Sequence, residues 1–267
     1  MNSDAELDRL VTAVTQSAKY ATISLDLVRR VGARELGVRR SLKEAIKATK
    51  NKLHQVGGAY MEARLDYPAM LDELRAAAGD PIQLQAVCSD LMRRHASTQE
   101  RLDVLPEFYA TTLGHLDGIR VVKDLACGLN PLTIPWLPFT GDFEYHAYDV
   151  YADMMAFLAE FMAIVGVNGR AQTRDILSQP PAEPADLILI LKTLPVLEQV
   201  EKGAAARLLD VLNARYLLIS FPARSLGGRH KGMVQNYEAQ FMDWISGRNW
   251  QTKRFEFPTE LAFLVTT

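Results

Sequence analysis

Acids, small residues and one lysine follow the apolar runs in the second half of the chain, where strands would end. Asp124 begins a turn that contains Gly128, Asp149 and Asp175 close two later runs, and Lys192 directly follows DLILIL. In an open parallel sheet, ligands bind beyond the carboxyl ends of the strands. A small-residue turn lets the backbone approach a ligand, and an acid about 20 residues later can bridge the two hydroxyls of a ribose. A further acid can accept a hydrogen bond from an adenine amino group. Lys192 places a charge where a buried strand emerges, which favours a role in the site.

The turn after Asp124 excludes two other nucleotide-binding motifs. It has one glycine where dinucleotide-binding enzymes have G-x-G-x-x-G, and no G-K-[ST] follows, so it is not a P-loop. Taken alone, Asp149 could equally cap the next helix, and Asp175 could equally be a solvated loop acid. The order is more specific than its parts. A glycine turn, two successive acids and a polar strand end indicate an S-adenosylmethionine-dependent class I methyltransferase.

Strands and helices alternate from about residue 118 onward. This alternation predicts an α/β fold with a Rossmann-like, doubly wound, mostly parallel sheet of seven strands. The predicted strands are 119–126, 144–150, 170–175, 186–192 and 216–221, with a closing hairpin at 252–257 and 260–266; the predicted helices between them are 151–166 and 198–213.

The first half of the chain has only helical periodicity. Apolar residues recur at steps of three and four over 4–30, and a second helix is expected from Ser41, since Glu44 stands at the spacing of a capping box. Further helices are predicted at 68–78, 81–95 and 97–113. We therefore predict an all-α N-terminal domain over 1–112 and a methyltransferase domain over 113–267.

Composition excludes several classes of protein. The 267 residues carry 30 Lys and Arg against 32 Asp and Glu, a formal charge of -2, which argues against a polycationic nucleic-acid binder. Two cysteines, Cys88 and Cys127, cannot form a disulfide scaffold or a four-cysteine zinc site. Five histidines lack ligand-like spacing, so no metal is expected. Without an apolar run of about 20 residues or a signal core, the protein is expected in the cytoplasm with no membrane contact.

Basic residues are concentrated in one stretch of the helical half. Between Arg29 and Lys52 there are nine basic residues and two acids, a net charge of +7. Lys43, Lys47 and Lys50 would share one helix face. A solvated face is the simpler interpretation, but such faces usually mix signs to form ion pairs, so contact with phosphates is favoured. A second basic segment, 224–231, follows the fifth predicted strand. Two such surfaces suit a large folded RNA better than DNA.

Assembled in order, these segments resemble the aminoglycoside-resistance 16S ribosomal RNA (guanine-N7) methyltransferases over nearly the whole chain. The resemblance is carried by six blocks: RRHASTQERL (93–102), DLACGLNPLTIPW (124–136), YHAYDV (145–150), RDIL (174–177), LKTLPVLE (191–198) and SFPARSLGGRHKGM (220–233).

The resemblance implies transfer of a methyl group from S-adenosylmethionine, with S-adenosylhomocysteine as the product. The acceptor would be N7 of guanine 1405 in the decoding A-site (helix 44) of 16S rRNA within the 30S subunit, and the consequence would be aminoglycoside resistance. A monomer is expected, because one large partner takes up the docking surface.

The resemblance also implies roles for individual residues. Arg101 would bind the methionine carboxylate, Asp149 the ribose, and Asp175 with Ile176 the adenine. Lys192 and Glu198 would form a charged pair that positions the target base; no general base is expected, because N7 carries no proton. The remaining implied donor-site residues are Ala126, Cys127, Gly128 and Leu191, and the predicted RNA-binding residues are Arg39, Arg40, Lys43, Lys47, Lys50, Lys52, Arg224, Arg229, Lys231 and Met233.

Two other functions remain open at this point. A small-molecule methyltransferase with a helical lid would make the basic helix incidental. A non-enzymatic ribosome-binding protein on the same fold would leave Arg101 and Asp149 without a ligand.

Overall fold

The computed structural model describes residues 2–58, 65–223 and 232–267. Its first part is helical. The α-helices there are α1 (Asn2–Thr15), α2 (Leu25–Val38), α3 (Leu42–Leu53), α4 (Tyr67–Ala77), α5 (Pro81–Met92), α6 (Ala96–Gln99) and α7 (Leu105–Leu113); short 3₁₀ turns lie at Ala18–Tyr20 and Leu102–Val104, and a wider π-helical turn, His54–Gly58, continues α3.

Side-chain caps explain where most of these helices begin. The Ser41 hydroxyl accepts from the backbone N–H of Glu44, and Ser24 caps α2 in the same way. Asp66 and Asp80 accept from the first backbone N–H groups of α4 and α5. Each cap satisfies a donor that has no partner within its own helix.

The predicted continuous helix over 4–30 is wrong. The chain leaves α1 after Thr15, and Ile23 forms an antiparallel bridge with Tyr151. The Ser24 N–H donates to the Val150 carbonyl at 2.7 Å. Apolar periodicity alone did not reveal this break, because the hydrogen bonds that hold it come from residues more than a hundred positions away.

The predicted helix over 97–113 is also interrupted. Val104 has φ −117° and ψ 5°, outside helical geometry, and α7 restarts with Pro106 in its first turn. Proline is favoured in a first turn because it has no N–H to leave unpaired. The break separates Arg101 from α7 and lets its side chain enter the protein interior.

Seven strands form a single sheet within the described residues. Its order is β3-β2-β1-β4-β5-β7-β6, parallel through β5 and antiparallel where β7 pairs with β5 and β6, which confirms the predicted fold class. The strands are β1 (Val121–Leu125), β2 (Glu144–Asp149), β3 (Asn168–Thr173), β4 (Ala185–Leu191), β5 (Ala214–Pro222), β6 (Gln251–Glu256) and β7 (Glu260–Thr266).

Helices cover both faces of this sheet. They are α8 (Ala152–Ile164), α9 (Leu194–Val200), α10 (Ala204–Val211) and α11 (Met233–Ile245), with a 3₁₀ segment at Asn130–Trp136. The predicted helix over 198–213 is in fact two helices, α9 and α10, because Gly203 adopts a left-handed φ of 81° between them. The sequence reasoning assigned no helix to α11.

The helical half and the sheet share one apolar core. Along β4, Leu187 and Leu189 join a cluster that reaches Leu10 of α1, whereas Ile188 and Ile190 face the opposite cluster. This alternation is the two-residue period of a strand buried on both sides. The N-terminal helices therefore share a core with the sheet, with α4 packed against α8 and α5 against the 3₁₀ segment Asn130–Trp136. The domain division into 1–112 and 113–267 stays a prediction.

Candidate active site

A cavity opens at the carboxyl ends of β1, β2 and β4. The strand order reverses between β1 and β4, which is where open α/β sheets bind ligands. The cavity combines apolar walls with a few polar side chains, as ligand sites do. Seven of the predicted site residues line it: Arg101, Ala126, Cys127, Gly128, Asp149, Leu191 and Lys192.

Backbone strain is concentrated at this cavity. Within the described residues, the non-glycine residues with positive φ are Ala126 at 51° and Lys192 at 59°, and both line the cavity. Gly128 has φ 51°, and a Cβ at that position would lie 2.7 Å from the His95 ring. Such conformations cost free energy and persist where the surrounding structure fixes them, often at functional sites.

The Asp149 carboxylate is fixed by the turn after β1. It accepts from the Gly128 N–H at 2.9 Å and from the Val150 N–H at 2.6 Å. Burial raises the pKa of Asp149, and these backbone donors oppose the rise. The turn around Gly128 and the Asp149 side chain thus fix each other's position, and the Asp149 carboxylate lines the cavity.

Arg101 is buried and forms a two-pronged ion pair with Glu260 at the start of β7. Its Nε and Nη2 donate to Glu260 at 2.9 and 2.7 Å, and its Nη1 donates to Asn130 Oδ1 at 2.8 Å. A guanidinium carries five N–H groups, so two have no acceptor among the described residues. Its predicted contact with the methionine carboxylate would use those two, because Glu260 already occupies the bidentate edge.

Lys192 does not pair with Glu198 in this structure. The Lys192 ammonium donates to Glu100 at 2.7 Å and to the Ser97 carbonyl at 3.2 Å. Glu198 instead accepts from the backbone N–H groups of Gly203 and Ala205, where it caps α10. The physical reason is the unpaired donors at that helix start. A role for Glu198 beside the target base stays a prediction.

Asp175 and Ile176 lie outside the cavity lining. Asp175 is 4% exposed and accepts two hydrogen bonds from the Arg30 guanidinium of α2, at 2.6 and 3.2 Å. Ile176 is buried beneath that loop. The Arg174 N–H donates to the Asp149 carbonyl at 2.7 Å, so the two acidic strand ends are neighbours. The assignment of Asp175 and Ile176 to the adenine stays a prediction.

A buried polar network lies beneath the cavity and was missed by sequence reasoning. Asp124 Oδ2 accepts from Asn130 at 2.9 Å and from the Tyr145 hydroxyl at 2.7 Å. Burial raises the pKa of Asp124 to about 6. No described residue donates to Asp124 Oδ1. The signal for this network was the pair Asp124 and Asn130 at the two ends of DLACGLN, together with the charge of Glu260 in front of an apolar strand.

His95 lines the cavity with its ring packed against Gly128, and sequence reasoning also missed it. Burial, with Lys192 and Arg101 nearby, lowers the pKa of His95 to about 4, so the ring is neutral at physiological pH. A neutral imidazole adds no positive charge beside the two cations that already face this end of the cavity.

The described residues fit the predicted methyl donor. Asp124 Oδ1 is a buried acceptor on the wall, which suits an ammonium group, and the unused N–H groups of Arg101 suit a carboxylate. Asp149 would provide carboxylate oxygens for the ribose hydroxyls. The cavity thus presents an acid and a cation for an amino-acid group and a second acid for a ribose, which suits an amino acid joined through sulfur to a nucleoside.

The predicted docking face lies on α3 and the end of α2. Lys43, Lys47 and Arg40 are exposed, and no acid lies within ion-pair distance of them in the described ranges. Arg39 pairs with Glu35 at 2.8 Å. Lys50 and Lys52 are half-buried, and the Lys52 ammonium donates to the Gln199 carbonyl on α9 at 3.2 Å. Unpaired cations on an exposed face can contact phosphates at little cost.

The second basic segment, 224–231, falls outside the described residues. Arg224, Arg229 and Lys231 lie there, whereas Met233 is half-buried in the first turn of α11. In the described part of the chain, no three His, Cys, Asp or Glu side chains lie close enough together to hold a metal ion. No described helix is long and apolar enough to cross a bilayer.

Fold and site together define an S-adenosylmethionine-dependent class I methyltransferase. The sheet order, the cavity at the strand reversal and the acid-held glycine turn all belong to that class. Comparison of sequences is more specific. The profile of the ribosomal RNA methyltransferase (FmrO) family matches residues 16–264, and the chain belongs to that family.

Individual relatives agree with this assignment. The chain is similar to the 16S rRNA (guanine(1405)-N(7))-methyltransferase of Frankia casuarinae, with 39% identity over 99% of this chain and 95% of that protein. It is 36% identical to the protein of the same name from Micromonospora rosea, over 98% and 97% of the two chains. Among solved structures, the 16S rRNA methyltransferase RmtF in complex with S-adenosyl-L-homocysteine has a TM-score of 0.79 and 36% identity, over 99% and 97% of the chains.

Proposed function

We propose that this protein transfers the methyl group of S-adenosylmethionine to N7 of guanine 1405 in 16S rRNA, within the 30S subunit, and thereby confers aminoglycoside resistance. The observation that carries the proposal is a donor cavity of matching chemistry in a chain whose full-length relatives bear the name of this reaction. The same relatives disfavour a small-molecule acceptor and a non-enzymatic role.

The chemistry requires little proton transfer. When bound, S-adenosylmethionine supplies an electrophilic methyl group on a positively charged sulfur. The in-plane lone pair of guanine N7 forms the new N–C bond, and the electrons of the broken C–S bond stay on sulfur. No general base takes part, because N7 carries no proton. Catalysis is then mainly orientation and exclusion of water.

The chain's own residues supply that orientation. Asp149 and the turn around Gly128 would hold the ribose and thioether side of the donor, and Arg101 its carboxylate. Lys192, on a strained turn beside the cavity, would face the target base, which must leave its stack to reach the methyl group. The ammonium is held by Glu100 and the Ser97 carbonyl, so its position is fixed before RNA arrives.

The helical region would dock the subunit. Exposed cations on α3 can follow the ribosomal RNA backbone, which is recognised by shape and phosphate contacts. In this proposal residues 1–112 dock and residues 113–267 transfer the methyl group, as a monomer, in the cytoplasm where the subunit substrate is found. Arg224, Arg229, Lys231 and Met233 would approach the flipped nucleotide.

Mapping of the modified nucleotide tests the proposal. Purified 30S subunits, free 16S rRNA and 50S subunits are each incubated with the protein and S-adenosylmethionine, and N7-methylguanine is located by chain cleavage and mass spectrometry. The expected result is one modified position, guanine 1405, in the 30S sample. Absence of N7-methylguanine from the decoding site, or equal modification of the 50S sample, would overturn the proposal.

A further inference from the structure

One segment of the helical half, residues 22–30, lies against the strand ends that carry Asp149 and Asp175. Its first residues pair with the chain just after Asp149: the Ala152 N–H donates to the Thr22 carbonyl at 2.8 Å, and Ile23 bridges Tyr151. Its last residue, Arg30, pairs with Asp175. The segment therefore touches both acidic strand ends.

We propose that Arg30 is a positioning residue of the donor site: it holds the Asp175 carboxylate so that the adenine amino group can be recognised. This extends the proposed function, since it assumes that the adenosyl group lies at Asp175. No residue of the N-terminal helices before Arg101 was assigned to the donor site by sequence reasoning.

The Asp175 carboxylate has four donors from the chain itself. Oδ2 accepts from Arg30 Nε at 2.6 Å and from the Ser178 hydroxyl at 2.9 Å, and Oδ1 accepts from Arg30 Nη2 and the Leu177 N–H, both at 3.2 Å. A carboxylate offers about four lone-pair positions. An adenine amino group can therefore be accepted only where one of these donors leaves.

Of these four hydrogen-bond donors, the Ser178 hydroxyl can leave the Asp175 carboxylate at the least cost. Its hydroxyl already lies 3.2 Å from the Asp175 backbone carbonyl, which gives it a second acceptor. Arg30 holds the carboxylate with two charge-assisted bonds from one rigid fork, and its Nη1 is anchored at 2.8 Å to Glu201. When the ligand binds, we expect the adenine amino group to take the place of the Ser178 hydroxyl as a hydrogen-bond donor to Asp175. Arg30 meanwhile keeps the carboxylate in position.

Burial makes this support necessary. The Asp175 side chain is 4% exposed and that of Arg30 is 23% exposed. A buried carboxylate without a charged partner is costly, so loss of Arg30 should change the loop at 175–179. The Gln179 side chain donates to Asp26 of α2 at 2.9 Å, so the same helix also holds the far end of that loop.

The test compares two ligands by calorimetry in the full chain: S-adenosylhomocysteine, and S-inosylhomocysteine, which has an oxygen in place of the amino group. The native protein should prefer the first by about tenfold or more, the usual effect of losing a hydrogen bond to a charged group. Arg30→Gln should weaken binding of S-adenosylhomocysteine by about tenfold and reduce the preference to near one.

Two variants serve as matched controls. Arg29→Gln removes the neighbouring arginine, which pairs with Asp8 on the surface, and should leave both affinities unchanged. Ser178→Ala removes a different donor from the same carboxylate and should leave the affinity for S-adenosylhomocysteine within about twofold of native. If Arg30→Gln unfolds, Arg30→Lys keeps the charge without the fork and should show a smaller loss of the same preference.

Each outcome decides the proposal. In the Asp175→Asn background, Arg30→Gln should add little, because the two residues act through one contact. If the native protein binds S-adenosylhomocysteine and S-inosylhomocysteine equally well, the role of Arg30 is overturned. The same holds if Arg30→Gln keeps the native affinity for S-adenosylhomocysteine and the native preference for it. Methylation is a separate readout: a protein with the expected preference that modifies no guanine 1405 would contradict only the proposed function.

Discussion

The donor cavity and the docking face are built in opposite ways. At the cavity, charged groups are buried and each is held by several partners, as with Arg101 between Glu260 and Asn130. On the docking face, Lys43 and Lys47 are exposed and have no acidic partner in the described residues. A small ligand needs fixed geometry, whereas a folded RNA needs a field of charge that adapts to its phosphates. The two regions should therefore fail in different ways.

Loss of Asp149 should cause the largest effect. In the proposed donor site, Asp149→Ala would remove the acceptors for both ribose hydroxyls, and it leaves the Gly128 N–H without its partner. Two charge-assisted hydrogen bonds correspond to about a hundredfold loss in affinity for S-adenosylhomocysteine, or more, measured by calorimetry. Binding to 30S subunits should stay at the native level.

An exposed acid nearby provides the control for that substitution. Asp142→Ala, in the loop before β2, should change neither affinity. If Asp149→Ala weakened subunit binding as strongly as donor binding, the separation of the two regions would be wrong.

The buried network should make the stability of the protein depend on pH. The pKa of Asp124 is raised from 3.8 to about 6, so the folded protein binds more protons than the unfolded chain between these values. The free energy of unfolding contributed by this group thus falls as pH rises from about 4 to 6, by on the order of 3 kcal/mol. His95 has the opposite sign, because its pKa is lowered to about 4 and stability is lost on acidification.

The Asp124 contribution is isolated by subtraction. Denaturant unfolding of native protein and Asp124→Asn at pH 4 and 6.5 should give a native-minus-variant difference that falls by about 3 kcal/mol as pH rises. Asparagine keeps an oxygen for the Tyr145 hydroxyl, so packing is preserved. Asp142→Asn should show no such change. A pH-independent difference for Asp124→Asn would contradict a buried, titrating acid.

Charge reversal on the docking face should have the converse effect. The triple variant with Lys43, Lys47 and Lys50 changed to Glu should bind 30S subunits about tenfold more weakly or worse, with native affinity for S-adenosylhomocysteine. Filter binding at several salt concentrations should also show a smaller salt dependence, since fewer counterions are released.

A second triple variant, with three cations outside the docking face changed to Glu, controls for net charge. Arg9, Arg120 and Lys253 are exposed, and their combined change to Glu should weaken subunit binding much less. Equal losses from the two triple variants would show that net charge acts without a defined docking face.

The smallest effect is expected from the cap of α3. Ser41→Ala removes the acceptor for the Glu44 N–H, which should lower the free energy of unfolding by about 1 kcal/mol and weaken subunit binding slightly. Ser17→Ala is the comparison, because Ser17 precedes a 3₁₀ turn without a side-chain cap bond. For both variants, thermal unfolding measures the change in stability and filter binding measures the affinity for 30S subunits. An unchanged melting temperature in Ser41→Ala would contradict the cap.

The sheet and helix α3 were predictable from the sequence, because their signals are local. Strand alternation placed all seven strands within a few residues, and the serine at 41 marked the start of α3. Asp149 was predicted from its distance to the glycine turn. In each case, residues near one another in the chain carried the information.

The remaining features depend on contacts between distant parts of the chain. Glu260 meets Arg101 across 159 positions, and Arg30 meets Asp175 across 145. The break before α2 likewise depends on backbone groups that only the fold brings near. Glu198 is different, because its partners Gly203 and Ala205 are close in the chain but belong to a helix start within the predicted helix 198–213. A single sequence does not specify such partners, since many arginines and acids could pair.

One measurement tests the central claim that donor binding and RNA docking are separate tasks that join in a single reaction. Single-turnover methylation of guanine 1405 in 30S subunits is followed by mass spectrometry at fixed, near-saturating donor and increasing protein, for native protein, Asp149→Ala and the triple lysine reversal. We predict that the triple variant reaches the native rate at high protein concentration and low salt, whereas Asp149→Ala does not at any concentration. A triple variant that stays slow at saturation, or an Asp149→Ala variant that recovers, would contradict the account.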